Sequence, residues 1–302
     1  MQNPTKTDPA PRDARLTPGR PDLADSALAG AVAAERYVAP EPARLVAPAA
    51  PLRREPREGA AIDTEAVMGD AVRVYEVRDG FAYVQLVHDG YVGYLPEASL
   101  GPADPAPTHR VRALRTFLYP APDLKRPPLG HLGLGAALPA LDQEGDYLRL
   151  PGDRFVFAPH CEASDWRAPD YAGTAERLVG TPYLWGGRTS LGLDCSGLVQ
   201  LALDLAGIPC PRDADQQERA LGTALPLETE ALRRGDLVFW RGHVGLMLDH
   251  ERLIHANGHH MAVAVEPLRV AAARIRETSY GAVTSLRRLD AAQDLGPSGR
   301  IS

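Results

Sequence analysis

Apolar and polar residues alternate along residues 71–100, which read AVRVYEVRDGFAYVQLVHDGYVGYLPEASL. An alternation with a period of two indicates half-buried β-strands, because successive side chains of a strand point to opposite faces. The Asp-Gly dipeptides at 79–80 and 89–90 favour tight hairpin turns between such strands. We therefore predict a small β-barrel over residues 59–105.

Residues 106–166 repeat this pattern more loosely. Three runs of strand type, VRALRTFLYP, GLGAALPAL and DYLRLPGDRFVFAPH, are separated by turn residues such as the Pro-Gly-Asp at 151–153. We predict a second small β-barrel from these runs.

The pattern changes again after residue 166. In CSGLVQLALDLAG, residues 195–207, the apolar residues fall on one face of a helix, and Gly207 is a typical helix stop. An earlier helix is predicted in YAGTAERLVGTPY, ending near Gly180. Four runs of strand type follow, namely GDLVFWRG, HVGLMLD, RLIHANG and MAVAVEPL. Helices followed by an antiparallel sheet predict an α+β domain over residues 167–302.

Residues 1–58 contain 10 of the 28 prolines of the chain and many alanines. This composition predicts an N-terminal arm without a core of its own, with a short helix near residues 23–37. The role of the arm does not follow from its sequence.

Composition excludes several classes of partner. The net charge of -6 gives no reason to expect nucleic acid or an anionic membrane as a partner, and no apolar run approaches the roughly 20 residues that span a bilayer. Three cysteines, Cys161, Cys195 and Cys210, do not form a disulfide framework. Because the N-terminal sequence shows no apolar run behind a basic start, we expect a cytoplasmic location. Nothing in the sequence indicates a cofactor, and it does not reveal the oligomeric state.

Cys195 is the residue with the clearest chemistry. It lies at the predicted N-terminus of a helix, where unpaired backbone N–H groups favour an anion, so we expect a lowered thiol pKa. The preceding loop WGGRTSLGLDC is rich in glycine and allows a substrate to approach the backbone closely. The alternative is a small, buried core residue.

A thiol nucleophile needs a base, and the base needs a group that orients it. His243 opens one predicted strand and His255 lies in the next, so an antiparallel hairpin brings the two histidines near each other. We predict that His255 orients His243 and that His243 faces Cys195, although a one-residue slip in register would turn a side chain to the other face. Both histidines have an alternative as ordinary sheet residues.

A metal site is the other chemical option. The chain offers several side chains of the ligand type, but their spacing is unlike that of a structural zinc site and no CxxC or HExxH motif occurs. We therefore predict no metal. The side chains of the ligand type are Cys195, His243, His255, His259 and His260.

At this point the sequence resembles the NlpC/P60 family of cysteine peptidases. The segments YLWGGRTSLGLDCSGLVQ, RRGDLVFWRG-HVGLML and LIHANG carry the resemblance, within about 171–285. It implies a papain-like fold with circularly permuted connectivity and a triad of Cys195, His243 and His255. It also places the hydroxyl of Tyr183 near the oxyanion, beside the backbone N–H of Cys195. The alternative for Tyr183 is a packed aromatic residue.

The layout of two predicted SH3-like barrels before this domain resembles one group within the family, the γ-D-glutamyl-L-diamino acid endopeptidases that act on murein peptides with a free N-terminal L-alanine. In that group an acidic residue and a tyrosine of the first barrel close one end of the site. The segments EAVMGD and GYVGYLP put Asp70 and Tyr94 at these positions. The resemblance gives further candidate substrate contacts, namely Trp185, Asp194, Ser196, Asp213 and Asp215. For Asp70 the alternative is a solvated turn residue, and for Tyr94 it is packing inside the barrel.

The resemblance thus implies a cysteine peptidase of murein-peptide recycling, and we expect it to use no cofactor. Three alternatives stay open at this point. These are a secreted hydrolase of intact murein, a non-catalytic wall-binding protein that uses SH3-like barrels, and an acyltransferase that passes a thioester to another nucleophile. Which diamino acid follows D-glutamate is not readable from the sequence.

Overall fold

The computed structural model describes residues 12–227 and 232–289. The segment before residue 40 forms two short parallel strands, β1 (Leu23–Asp25) and β2 (Arg36–Val38), joined through a single 3-10 turn at Ser26–Leu28. The Asp25 carboxylate caps this turn by accepting a hydrogen bond from the backbone N–H of Ala27 (2.8 Å). The predicted short helix is therefore only one 3-10 turn.

A seven-stranded sheet, which we call the first β-unit, occupies residues 41–102. Its order is β5-β4-β8-β7-β6-β3-β9. The predicted hairpin at 79–80 is confirmed, since Asp79 and Gly80 both have positive φ and connect β6 to β7. Its strands are β3 (Glu41–Leu45), β4 (Ala49–Arg53), β5 (Ile62–Val67), β6 (Ala71–Arg78), β7 (Phe81–Leu86), β8 (Val92–Pro96) and β9 (Leu100–Pro102).

The start of this unit corrects the predicted boundary at residue 58. Strands β3 and β4 lie inside the predicted arm, and their side chains Leu45, Ala50 and Leu52 are part of the buried core of the unit. The prolines hid these strands from the sequence pattern. Pro51 is tolerated because β4 pairs with β5 along its length but with β8 only at Arg53.

A second β-unit, residues 109–163, follows. It consists of a three-stranded sheet of order β13-β10-β17 and a five-stranded sheet of order β12-β11-β16-β15-β14. Met68 of the first β-unit packs into its buried core, which joins the two units. The strands are β10 (His109–Val111), β11 (Arg115–Tyr119), β12 (Gly130–Gly133), β13 (Ala137–Leu138), β14 (Asp142–Glu144), β15 (Tyr147–Leu150), β16 (Arg154–Phe157) and β17 (Cys161–Ala163).

The C-terminal part mixes helices with a six-stranded antiparallel sheet of order β20-β25-β21-β22-β23-β24. Helix α2 begins at Cys195, ends before a left-handed Gly207, and packs on β22 and β23, as the sequence predicts. The remaining bounds are α1 (Tyr171–Glu176), β18 (Arg188–Thr189), β19 (Gly192–Leu193), α2 (Cys195–Ala206), α3 (Ala214–Ala220), β20 (Thr223–Leu225), β21 (Leu237–Trp240), β22 (His243–Met247), β23 (Arg252–Asn257), β24 (Ala262–Pro267), α4 (Leu268–Thr278) and β25 (Ser285–Arg288).

The β22–β23 hairpin fixes the two histidines that the sequence singled out. Leu246 pairs with Ile254, so His243 and His255 share the opposite face of the sheet. The predicted antiparallel hairpin is present, and its register, which the sequence left open, brings the histidines together. Among the helices in the described residues, none is long and apolar enough to cross a membrane.

Candidate active site

The first turn of α2 presents Cys195 to a cleft. Asp194 caps the helix, because its carboxylate accepts a hydrogen bond from the backbone N–H of Gly197 (2.7 Å). The same carboxylate accepts a second bond from the backbone N–H of Gly186 (3.0 Å) and so ties the glycine-rich loop to the helix. Glycine at position 197 lets the glycine-rich loop lie against the start of α2, since a Cβ there would lie 2.2 Å from the carbonyl oxygen of Gly187.

A buried arginine, Arg212, binds the residues on both sides of Cys195. Arg212 binds both oxygens of Asp194, with distances of 2.9 Å from Nη1 to Oδ1 and 2.6 Å from Nη2 to Oδ2. It also donates to the Ser196 hydroxyl (2.9 Å) and to Oγ1 of Thr64 in the first β-unit (2.6 Å). The residues that flank Cys195 are therefore fixed by one fully buried cation that also reaches the first β-unit.

The charge state of Cys195 differs from the sequence prediction. Burial raises the pKa of the thiol to about 12, and the negative charge of Asp194 acts in the same direction. Backbone N–H groups of Val244 and Ser196 and the charge of Arg212 oppose this rise without reversing it. The expected lowering of the pKa by the helix terminus was wrong, because desolvation outweighs the partial charges at the helix end.

His243 and His255 lie in contact inside the sheet. Nε2 of His243 and Nδ1 of His255 are 2.8 Å apart, and both side chains are buried. The ring of Tyr280 stacks on His243, at 5.3 Å between centroids and 2° between planes. Burial lowers the pKa of His243 to about 3, and the charge of His255 adds to this effect. At neutral pH the imidazole of His243 is thus uncharged and able to accept a proton.

Cys195 and His243 approach each other through the packing of α2 on β22. The backbone N–H of Val244, the residue after His243, acts to lower the pKa of Cys195, and both Val244 and Cys195 belong to one buried core cluster. Tyr183 lies beside both residues, because it lines the cleft at Cys195 and also a neighbouring cavity at His243. The structure thus brings together Cys195, His243, His255 and Tyr183.

The cleft at Cys195 has a volume of about 260 Å³ and draws residues from three parts of the chain. The predicted contacts Trp185, Asp194, Ser196, Asp213 and Asp215 all line it, and Trp185 is 67% exposed at its rim. The first β-unit contributes Arg54, Asp63 and Tyr91, and the N-terminal segment contributes Arg15.

Asp70 and Tyr94 do not line this cleft. Asp70 closes the turn after β5 by accepting a hydrogen bond from the backbone N–H of Val67 (2.9 Å), and it forms an ion pair with Arg188 (2.7 Å) in a separate cavity between the units. The hydroxyl of Tyr94 accepts a hydrogen bond from Arg20 (3.0 Å) in a hollow beside the cleft. Their predicted places are taken by Asp63 and Tyr91.

Asp63 and Tyr91 face the cleft for reasons of local geometry. Asp63 lies near the start of β5, at the end of the strand opposite to Asp70. The hydroxyl of Tyr91 donates a hydrogen bond to Asp213 (3.1 Å), which joins the first β-unit to the segment before α3. Asp63 pairs with Arg54 (2.6 Å), whose side chain is 71% exposed. Sequence spacing alone did not distinguish these residues from their neighbours of the same type.

Arg15 is the cleft residue with the weakest sequence signal. Its guanidinium pairs with Asp213 (2.7 Å) and Asp215 (2.8 Å), and it also bonds Asp13. The backbone carbonyl of Arg15 accepts a hydrogen bond from the N–H of Val92 (2.8 Å). The N-terminal segment therefore forms one wall of the cleft, a role that its proline-rich composition did not indicate.

Within the described residues, no group of three or more His, Cys, Asp and Glu side chains is arranged to hold a metal ion. The three cysteines are free thiols. Cys161 and Cys210 are buried and lie outside the cleft at Cys195.

Two family models match the chain. Residues 52–100 match the model described as the bacterial dipeptidyl-peptidase Sh3 domain, and residues 180–278 match that of the NlpC/P60 family. An SH3-like segment therefore lies ahead of a region that is similar to the NlpC/P60 family. The resemblance seen in the sequence is thereby confirmed.

Curated relatives and a solved structure agree with this placement. A γ-D-glutamyl-L-lysine dipeptidyl-peptidase from Bacillus cereus is 26% identical over 240 residues, which are 68% of this chain and 71% of that protein. A protein of the same name from Bacillus subtilis is 32% identical over 184 residues, which are 55% of this chain and 60% of that protein. The crystal structure of an NlpC/P60 family protein from Bacillus cereus shares the fold, with a TM-score of 0.68, 21% identity, and coverage of 82% of this chain and 99% of that chain.

Proposed function

We propose that the chain is a cysteine endopeptidase that hydrolyses the γ-D-glutamyl-L-diamino acid bond of short murein peptides with a free N-terminal L-alanine. The observation that carries the proposal is the lining of the cleft, where Arg15 of the N-terminal segment and Arg54, Asp63 and Tyr91 of the first β-unit lie on the same cleft as Cys195. We infer that these residues limit the length of the bound peptide, and we call their end of the cleft the closed end. Relatives named γ-D-glutamyl-L-lysine dipeptidyl-peptidase support the bond and the substrate class.

The proposed reaction starts from a neutral thiol and a neutral imidazole. His243 removes the proton of Cys195 as the sulfur attacks the γ-carbonyl carbon of D-glutamate, because the raised pKa of Cys195 and the lowered pKa of His243 disfavour a resting ion pair. The oxyanion is stabilised by the backbone N–H of Cys195 and the hydroxyl of Tyr183. The imidazolium then protonates the leaving amine, and water hydrolyses the thioester with His243 as the base.

Charge in the closed end fits a substrate ammonium group. Asp63, Asp213 and Asp215 face this end, and within the part of the chain that the structure describes Asp63 pairs with the exposed Arg54. The Arg54 guanidinium is largely exposed and can return to water, so an ammonium group can take its place beside Asp63 at small cost. A peptide without a free amine would leave Arg54 on Asp63 and would place an uncharged group beside these carboxylates, so it would gain no charge pairing there.

The leaving diamino acid has a separate place in this scheme. Beyond Tyr183, a cavity of about 430 Å³ is lined by His243, Tyr280 and the end of α4. This cavity lies on the side of His243 away from the closed end of the cleft, which suits the amine that His243 must protonate.

Two finer points belong to the same proposal. We assign the second β-unit as a second SH3-like barrel that packs against the first and braces it through Met68. We also assign a cytoplasmic role in peptide recycling, since a cleft closed to long chains suits free peptides better than intact murein.

Mass spectrometry with two substrates tests this function. Purified protein is incubated with the tripeptide L-Ala-γ-D-Glu-L-diamino acid, as the meso-diaminopimelate and the lysine forms, and separately with intact sacculi. We expect release of the dipeptide L-Ala-γ-D-Glu from a tripeptide and no release of fragments from sacculi. Cleavage of sacculi at a comparable rate would favour a secreted murein hydrolase, and binding to sacculi without cleavage of either substrate would favour a wall-binding protein.

A further inference from the structure

A row of buried polar groups continues from His255 away from the cleft. Nε2 of His255 lies 2.8 Å from Oε1 of Glu266, and the Glu266 side chain is 9% exposed. Arg274 of α4 donates to both oxygens of Glu266, at 2.7 Å from Nη1 to Oε2 and through a second, shorter contact to Oε1. The chain of contacts is thus His243, His255, Glu266 and Arg274.

The proton positions in this row follow from its far end. Burial raises the pKa of Glu266, but hydrogen bonds from Arg274 and His255 outweigh burial and hold it well below the usual value. A carboxylate can only accept hydrogen bonds, so the proton of His255 must lie on Nε2. Burial keeps the pKa of His255 low, so this ring is neutral and its Nδ1 carries a lone pair.

The lone pair on His255 then determines the state of His243. Nδ1 of His255, at 2.8 Å from Nε2 of His243, can only accept a hydrogen bond, so Nε2 of His243 must carry a proton and donate that bond. The neutral ring of His243 therefore carries its proton on Nε2 and has a bare Nδ1. Because Nε2 is bonded to His255, Nδ1 is the ring nitrogen of His243 that is left to remove the proton of Cys195.

The opposite arrangement is disfavoured at two contacts. With the proton of His255 on Nδ1, its Nε2 lone pair would face the Glu266 carboxylate at 2.8 Å. His243 would then accept at Nε2 and carry its own proton on Nδ1, which removes the base. Glu266 does not act on His243 through its negative charge, because the two-point ion pair with Arg274 largely cancels that charge. Its influence on the tautomer of His243 passes through the hydrogen bonds of His255.

We propose that Glu266 is a positioning residue that sets the tautomers of His255 and His243, so that the bare Nδ1 of His243 faces Cys195. This inference rests on the proposed roles of Cys195 and His243 as nucleophile and base.

The direct test is the tautomer itself. Nitrogen-15 NMR of the ¹⁵N-histidine-labelled full chain at pH 7 separates protonated from bare ring nitrogens, and His243→Gln and His255→Gln variants assign the signals. We expect a bare Nδ1 and a protonated Nε2 for both histidines. A protonated Nδ1 on neutral His243 in the wild-type chain would overturn the proposal.

Substitution of Glu266 supplies the second readout. In Glu266→Gln the amide cannot satisfy Arg274 and His255 together, and its NH₂ group can donate to Nε2 of His255, which favours the wrong tautomer. We expect kcat to fall by about 100-fold or more, with KM changed less than about 3-fold, and the His243 signals to move toward the other tautomer. Glu266→Asp, which keeps the carboxylate, should restore the wild-type tautomer and part of kcat.

The outcomes distinguish this inference from the proposed function. A folded Glu266→Gln chain with wild-type kcat and unchanged histidine signals would overturn the role of Glu266 alone. A wild-type chain that cleaves no murein peptide would overturn the proposed function, while the NMR comparison would still decide the tautomers. If Glu266→Gln does not fold, the wild-type spectrum and Glu266→Asp decide the question.

Discussion

Arg212 forms a buried two-point ion pair with Asp194, the residue immediately before Cys195, with contacts of 2.9 and 2.6 Å. Asp194 also caps α2 and ties down the glycine-rich loop through Gly186. Removal of the arginine would leave a buried carboxylate without its partner, which costs about 3–5 kcal/mol. We therefore expect Arg212→Ala to lower the free energy of unfolding by that amount, measured by urea denaturation.

A surface arginine serves as the control for this prediction. Arg57→Ala removes an exposed pair with Glu55 and should change the free energy of unfolding by less than about 1 kcal/mol. Arg212→Lys should lie between the two, because lysine keeps the charge but loses the two-point geometry. A decrease in the free energy of unfolding below about 1 kcal/mol for Arg212→Ala would show that the pair with Asp194 does not stabilise the fold.

The charge state of Cys195 is open to a pH titration. A thiolate reacts with iodoacetamide and a thiol does not, so a pKa raised to about 12 by burial predicts alkylation that is slow at pH 7 and rises with pH beyond 9. We expect a rate at pH 7 at least about 100-fold below that of free cysteine, whose pKa is about 8.5. Mass spectrometry of the modified peptide measures this rate, and Cys195→Ala supplies the background from Cys161 and Cys210. Fast alkylation at pH 5–7 would mean that a thiolate–imidazolium pair is the resting state.

Recognition of the substrate amine is assigned to Asp63 instead of Asp70. Asp63→Asn keeps the shape of the side chain and removes its charge, so kcat/KM for the free tripeptide should fall by about 10- to 100-fold, as expected for a charge-assisted hydrogen bond. The matched control is Asp70→Asn, which should reduce stability through the buried Arg188 and leave kcat/KM within about 3-fold. The reverse ranking of the two variants, measured with both folded, would assign the amine to Asp70.

Arg15 tests whether the N-terminal segment belongs to the site. Its bonds to Asp213 and Asp215 hold the segment against the cleft, and its hydrogen bond holds the pKa of Asp215 down at about 2. Arg15→Ala should raise KM for the tripeptide several-fold with a smaller effect on kcat, and it should speed proteolysis before residue 20. The exposed Arg12→Ala is the control. Equal KM values and digestion rates for the two variants would show that the segment only covers the surface.

Much of the catalytic part was predictable because its signals are local. The periodicity of residues 195–206 and the stop at Gly207 define α2, and a hairpin between two short strands is enough to pair His243 with His255. The segment order then identified the family. Predictions of this kind need only neighbouring residues and one turn.

The parts that failed depend on contacts distant in sequence or on burial. Arg15 reaches Asp213 across 198 positions, and no local pattern marks such a contact. Asp63 lies near the start of β5 and Asp70 in the turn after it, and only the packing of that strand shows which of the two faces the cleft. The predicted lowering of the Cys195 pKa was wrong because the sequence shows the helix end but not the depth of burial of the thiol.

The central claim is that Cys195 cleaves short peptides whose free amine is read at the closed end of the cleft. The most direct measurement is mass spectrometry of L-Ala-γ-D-Glu-meso-diaminopimelate and its N-acetylated copy, each incubated with the wild-type chain and with Cys195→Ala. We predict that only the wild-type chain releases L-Ala-γ-D-Glu, with the acetylated copy cleaved at least about 10-fold more slowly because it lacks the charge that pairs with Asp63. Cleavage by the Cys195→Ala variant, or no cleavage of either peptide by folded wild-type protein with reduced thiols, would contradict the account.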